Sequence, residues 1–257
     1  MEEVIQTFST PHRAYQIGRH TFVKRELAPH ELMLSIYGKT ILLPPDSGAR
    51  LENEFYMLQH IRENTAIPVP VAIKLTKEHG ALTLTTSCVD HDAVAMQNCS
   101  HKDPSVVETV EKELIAEIIP ALQREKSTRM GGLNKDERLL VPPRVADPSE
   151  APTWPRLTSE EPRFVLCHND LSQANIFIHP TTHRIVAIVD WEYAGYYPPQ
   201  FETRLWRSPS RARLVRTQAW RAPSFAKRYG GNGDVTLCAS QGLNFSRPAK
   251  GHFFKVC

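Results

Sequence analysis

The sequence predicts an α+β fold in two lobes, followed by a segment of different character. Three observations predict it. Short apolar runs separated by turn residues crowd the first 89 residues, around one stretch with helical spacing. A second helical stretch follows, and then a polar loop set between strand-like runs, "FVLCHNDLSQANIFI" at 164–178, ahead of one more strand, "RIVAIVD". Beyond residue 206 the apolar residues are sparse and aperiodic while Arg, Ser, Gly and Pro dominate, a composition that buries little surface. The divisions expected are 1–89, 90–206 and 207–257, the last a basic, disordered or atypical tail that leaves the second lobe truncated.

Each element has its own signal. "AYQIG" and "TFVKREL", separated by Gly18-Arg19-His20, predict a hairpin. A loop-rich stretch follows and ends in "PPDSG", where Pro44, Pro45 and Gly48 break regular structure. In "ARLENEFYMLQHIRENT", Leu51, Phe55, Leu58 and Ile61 recur at three- and four-residue spacing, the buried stripe of an amphipathic helix. "IPVPVAIKL" reads as an irregular extended entry and "ALTLTTSCV" as a strand. A longer helix, capped by Asp103 or Ser105, is expected to bury Val106, Val107, Val110, Leu114, Ile115, Ile118, Ile119 and Leu122, with Pro120 kinking or shortening it. Residues 127–162, with "MGGLN" and "VPPR", predict a long surface connection.

Composition narrows the class. With 257 residues, 41% of them apolar, and a net charge of +3, the chain has the make-up of a water-soluble globular protein. No apolar run approaches the ~20 residues that span a bilayer. The start, "MEEVIQTFST", lacks the pattern of a secretory signal. The five cysteines (Cys88, Cys99, Cys167, Cys238 and Cys257) form no C-x-x-C. Reduced thiols, a cytoplasmic setting and no zinc follow as expectations. Charge is uneven: residues 203–257 hold 11 Lys/Arg and one acid, Asp234, whereas the first 202 hold 20 bases and 27 acids. A basic tail invites a nucleic acid or a membrane, but it has no helical periodicity and no nucleic-acid module, so neither partner is expected.

The polar loop carries the chemistry. Asp170 and Asn175 lie on the loop and its exit, and Asp190 ends the next strand; a hairpin between the two strands brings all three to one edge. That grouping suits phosphoryl transfer, with a carboxylate to orient an incoming hydroxyl and an Asn and an Asp to hold Mg²⁺. His168 would sit behind the loop and hold its backbone. Asp and Asn also favour turns for backbone reasons, so the local pattern alone is a weak signal. What raises it is the order: strand, His-Asn-Asp, an Asn five residues after the Asp, strand, and a second Asp at a strand end. His179 and His183 flank a Pro-Thr-Thr turn and read as surface residues, and "GGNGD" at 230–234 lacks the Lys-Ser/Thr of a phosphate-binding loop.

"VLCHNDLSQANIFI" followed by "IVAIVDWEYAGYYPPQFE" resembles the aminoglycoside phosphotransferase/choline kinase family, and its fungal-type members most, on a protein-kinase-like fold. "ENTAIPVP" and "STRMGGL" extend the resemblance over about residues 12–202. Members usually carry Gly after the loop His, where this chain has Asn169. The resemblance makes 1–89 the nucleotide-binding lobe and 90–206 the catalytic lobe. It implies ATP and Mg²⁺ as cofactors, with Asp170 as catalytic base and Asn175 and Asp190 as metal ligands. It sets Lys24 on the α- and β-phosphates and makes Glu54, on the polar side of the helical stripe, its partner, with Glu52 as a neighbouring competitor. Residues 85–89, with Cys88, would be the hinge that meets adenine, and the phosphate-covering loop, expected near Gly18, is poor in glycine. Glu202 reads as structural, and Glu192 equally as structural or as facing a cationic substrate.

Three functions remain open on sequence. The first is an ATP-dependent phosphotransferase that moves the γ-phosphate to a hydroxyl of a small-molecule acceptor. The second is a nucleotide-binding, kinase-like protein without transfer, because its acceptor site is incomplete. The third is a truncated, inactive product. The presence of Lys24, Asp170, Asn175 and Asp190 together favours the first, and the tail favours the others.

Overall fold

The computed structural model describes residues 2–34, 41, 43–78, 80–101, 103–135, 139–142 and 156–208. The expected tail, from residue 209 on, lies outside them. So does "GGNGD".

Strands β1 (Val4–Ser9), β2 (Ala14–Gly18), β3 (Thr21–Arg25), β4 (Ala72–Glu78) and β5 (Ala81–Ser87) form one antiparallel sheet in the order β1-β2-β3-β5-β4. The predicted hairpin is β2–β3, with Tyr15 opposite Lys24 and Ile17 opposite Phe22. Strand β1 escapes sequence reading because every side chain but Phe8 is exposed, leaving no buried face to give a two-residue period. Phe8 stacks on Tyr15 with ring centroids 4.7 Å apart and sets the register of the added strand.

Helix α1 (Ser47–Asn64) links β3 to β4 and begins inside "PPDSG", where Asp46 takes a left-handed turn at φ 51°. Its buried stripe runs Leu51, Glu54, Leu58, Ile61. Two sequence expectations change here: Phe55 is half-buried against Tyr56, and Glu54 is on the buried face, 3% exposed. At about 100° per residue, position 54 falls within the arc of 51, 58 and 61, and position 55 falls outside it. A charged residue in that arc is the anomaly that its buried partner, Lys24, explains.

The second part has two small sheets. Strands β6 (Val94–Ala95), β9 (Ile176–Ile178) and β10 (Ile185–Ile188) pair in the order β10-β9-β6. Strands β7 (Lys126–Ser127), β8 (Phe164–Cys167) and β11 (Gly195–Tyr197) pair as β11-β8-β7. After the short α2 (Met96–Ser100), the long helix runs as α3 (Ser105–Glu113), a π-helical turn (Leu114–Ile118) and α4 (Ile119–Arg124). Its N-cap is Pro104 rather than the expected Asp103 or Ser105, and Asp103, one residue ahead, accepts the Ser105 N–H at 2.9 Å. The π turn answers two demands at once. It lies directly ahead of Pro120, which has no N–H to give. It also keeps Val106, Val110, Leu114, Ile118 and Leu122, spaced by four, on one buried face that a regular helix would rotate away. Ile115, expected inside, is 46% exposed.

These five residues pack with Met57, Leu58 and Ile61 of α1 and with the β9–β10 hairpin in one core, so the helix of the first lobe is anchored in the second. Burying each such side chain stabilises by about 1.5–3 kcal/mol. The expected surface connection is partly interior: Met130, Leu139 and Val141 are buried with Phe164 and Tyr197 in a second cluster. Its glycines explain the close fit. Gly131, at φ 122°, exchanges both backbone hydrogen bonds with Tyr196, and a Cβ on Gly132 would lie 2.2 Å from Asn53 Oδ1. At the far end Trp206 is buried, its carbonyl bound by Gln173 and its indole by Glu111, which also holds Arg207, the first residue of the expected tail.

Candidate active site

The β9–β10 register joins the predicted loop residues. Ile176 faces Ile188, and the Val189 N–H donates to the Asn175 carbonyl at 3.0 Å, so Asn175 and Asp190 leave the hairpin side by side. The Asn175 amide donates through Nδ2 to the Asp170 carbonyl (2.8 Å) and to its Oδ2 (3.0 Å). His168 is fully buried and holds the loop by backbone, as expected: Nε2 donates to the Val189 carbonyl at 3.0 Å, and Nδ1 accepts the Asp170 N–H at 3.2 Å. Asn169 stands at φ 67°, a conformation in which a glycine is at home, and fixes it by donating to the Tyr193 carbonyl at 2.8 Å. Glu202 accepts the backbone N–H groups of His168 and Asn169 and is structural.

Three residues distant in sequence meet at Lys24, on the central strand β3. Its Nζ contacts Glu54 at 2.7 and 2.9 Å and Asp190 Oδ1 at 2.9 Å. Glu52 makes a different contact, accepting the Lys135 N–H at 3.1 Å, which settles the partner of Lys24 as Glu54. Burial works against the Lys24 charge, but Asp190 and Glu54 outweigh it and raise its pKa well above the usual lysine value. Burial opposes the charge on Asp190 too, yet Lys24 holds its carboxyl below the ordinary range. On Glu54 burial prevails over Lys24, with Asp190 and Glu192 adding to it, and lifts the carboxyl to about 7. One ammonium between two carboxylates thus keeps the more accessible one, Asp190, ionised.

Oxygen donors suited to a hard cation are present. Asn175 spends its amide N–H groups on Asp170, which leaves Oδ1 as a ligand atom, and Asp190 Oδ2 has no hydrogen bond among the described residues. The donor set is a carboxylate and an amide oxygen beside Asp170, with no sulfur or imidazole nitrogen, and it fits Mg²⁺.

Other expectations shift. Cys88 does follow β5, beside Gly18, but its N–H is given to the His20 carbonyl at 2.9 Å. Among the described residues nothing accepts a hydrogen bond from the amide of Val89, the last residue of the expected hinge. Gly18 lies at this hinge end. The turn Thr10–Arg13, between β1 and the expected hairpin, reaches Glu192 through Arg13 at 3.5 Å. Sequence reading also missed the polar residues that fix the segment after Asp190. Arg13 and Arg50 pair with Glu192 at 3.5 and 3.1 Å, and Asn53 donates to the carbonyls of Glu192 and Ala194 at 3.1 and 2.8 Å. Nothing in a single sequence separates such residues from surface polar ones.

A model of the phosphotransferase enzyme family matches residues 39–230. No curated protein sequence matches the chain. Among solved structures, the GDP and kanamycin complex of APH(2")-IIia is 12% identical, with a TM-score of 0.50 over 83% of this chain and 76% of that one. Aminoglycoside phosphotransferase APH(3'')-Id from Streptomyces rimosus is 15% identical (TM-score 0.45, 89% and 87% covered). A thermostable mutant of aminoglycoside phosphotransferase APH(4)-Ia, in ternary complex with ADP and hygromycin B, is 14% identical (TM-score 0.47, 88% and 79% covered). At 12% identity, the likeness to the GDP and kanamycin complex is one of fold alone.

Proposed function

The chain belongs to the phosphotransferase enzyme family, and we propose that it is an ATP-dependent kinase that phosphorylates a hydroxyl of a small molecule. The observation that carries this reading is Lys24 Nζ bonded to both Glu54 and Asp190, which sets a fixed positive charge beside the Asp170–Asn175 loop. Adenine would rest at the hinge, residues 87–89, taking a hydrogen bond from the Val89 amide. Lys24 would meet the α- and β-phosphates, held in place by Glu54. Asn175 and Asp190 would hold Mg²⁺, which when bound neutralises phosphate charge.

Asp170 orients the acceptor hydroxyl and takes its proton. The hydroxyl oxygen bonds to the γ-phosphorus as the bond to the β,γ-bridging oxygen breaks, and ADP leaves with that electron pair. Asn175 restrains the Asp170 carboxylate through Oδ2, so the base enters the reaction already oriented.

The test uses the full chain. Mg-ATP should raise its melting temperature, and a panel of hydroxyl compounds should reveal one that drives ADP release. Asp170→Asn should lower transfer by about 10²–10⁴-fold, the usual worth of a general base, while keeping the Mg-ATP stabilisation. Equal loss of binding and transfer in that variant would remove Asp170 from the role. Mg-ATP binding with no transfer to any acceptor would instead make the protein a nucleotide binder.

A further inference from the structure

We propose that Glu192 is a positioning residue, held by two buried arginines, that fixes the backbone turn presenting Asp190 and keeps those arginines from competing for its carboxylate. The inference rests on Asp190 being a metal ligand.

Asp190 stands at φ 68°, where L side chains are strained, so its direction depends on what pins the chain on either side. Upstream, Val189 is bound through both backbone groups, by His168 and Asn175. Trp191, fully buried, donates its indole N–H to the Ile188 carbonyl at 2.8 Å. Downstream the anchor is Glu192. Its Oε2 pairs with Arg13 Nη2 and its Oε1 with Arg50 Nη1, and the two arginine residues are only 2% and 5% exposed.

Among the described residues Glu192 is the only carboxylate within ion-pair distance of either guanidinium. Both arginines are tied down elsewhere. Arg13 binds the Ser47 hydroxyl and carbonyl, and Arg50 donates to the Tyr193 hydroxyl at 2.8 Å. Glu192 therefore joins the β1–β2 turn, the first turn of α1 and the segment after Asp190. A carboxylate oxygen of Glu192 also lies within 4.8 Å of one from Glu54 and one from Asp190. With both oxygens given to buried cations it is not a third metal ligand. Without its charge, Arg13 and Arg50 would be buried beside two remaining acids, Glu54, which Lys24 already holds, and Asp190, which Arg50 would draw from the metal.

The experiment is a Mg²⁺ titration of ADP-induced thermal stabilisation on the full chain, for wild type and Glu192→Gln. The glutamine keeps shape and hydrogen-bond acceptor and removes charge. The Mg²⁺ concentration at half-effect should rise about tenfold, while ADP affinity without metal stays within about twofold. A residue that only packs would weaken both conditions alike. If Glu192→Gln does not fold, Arg13→Lys, which retains one charge but not the paired contacts, should raise the midpoint about threefold. An unchanged Mg²⁺ midpoint in the variant measured, or equal weakening with and without metal, overturns the inference. Wild type with no response to ADP at any Mg²⁺ concentration would refute the kinase reading and the inference with it.

Discussion

The two halves of the site are held by different physics. The Asp170 loop rests on hydrogen bonds to the backbone: His168 to Val189, Asn175 to Asp170, Asn169 to Tyr193. The Lys24 half rests on charge, one ammonium between two carboxylates and, alongside, one carboxylate between two guanidinium groups. A hydrogen-bonded loop loses one increment per deletion. A buried charge cluster does not, because removing one member leaves the others uncompensated. The charged half should therefore be fragile toward folding, and the neutral half fragile mainly toward catalysis.

The widest separation should come from Lys24→Met. It leaves Glu54 and Asp190 facing each other in a buried site and should destabilise by about 3–5 kcal/mol, read by urea unfolding. The loss should be greater at pH 8 than at pH 5. Glu54 is raised from 4.5 to about 7 in the fold, so the folded state holds its proton more tightly, and that share of stability is present below 4.5 and lost as pH rises through 7. Without Lys24 the shift is larger and the slope steeper. A pH-independent loss would show that the carboxylates are not in contact through Lys24.

Between the halves stands Asn53, held by both the Leu133 N–H and the carbonyls after Asp190. Gly132→Ala would push a methyl group into its Oδ1 and should cost about 1–3 kcal/mol, the usual penalty of overpacking. Unchanged stability would mean that Asn53 can move away and is not fixing the segment. The smallest effect belongs to a pair outside the cleft. Arg25 and Glu31 meet at 2.6 Å with side chains 36% and 25% exposed, so solvent screens them. Arg25, then the Ala28 N–H, holds Glu31 at about 2, so its contribution is present above 4.5 and lost as pH falls through 2. Glu31→Gln should cost less than about 1 kcal/mol at neutral pH and nothing near pH 2; a deficit that persists in acid would assign it to packing.

What could be read beforehand follows the same division. The meeting of Asn175 and Asp190 beside Asp170 was legible because one hairpin joins the first two, and a local strand–loop–strand pattern encodes a hairpin directly. The α+β arrangement was legible from runs of short strands around amphipathic helices. Lys24–Glu54 was legible only through resemblance, since nothing local brings residues 24 and 54 together. Of the Arg13–Glu192–Arg50 cluster only Glu192 was weighed as structural, and its two partners were not legible. Each member, alone in sequence, has the composition of a surface residue, and only tertiary packing buries them. Strand β1 was lost for the opposite reason, because the structure leaves it exposed.

The hairpin also determines where the chain can change length. Asn175 and Asp190 sit at its open end, tied by the Val189 N–H and the Ile176–Ile188 pair, while its tip at 179–184 faces water. Insertions at that tip leave the open end in register, whereas a single-residue deletion within either arm turns every following side chain to the other face. A change of length at the tip would therefore spare Asn175 and Asp190, and one in the arms would not.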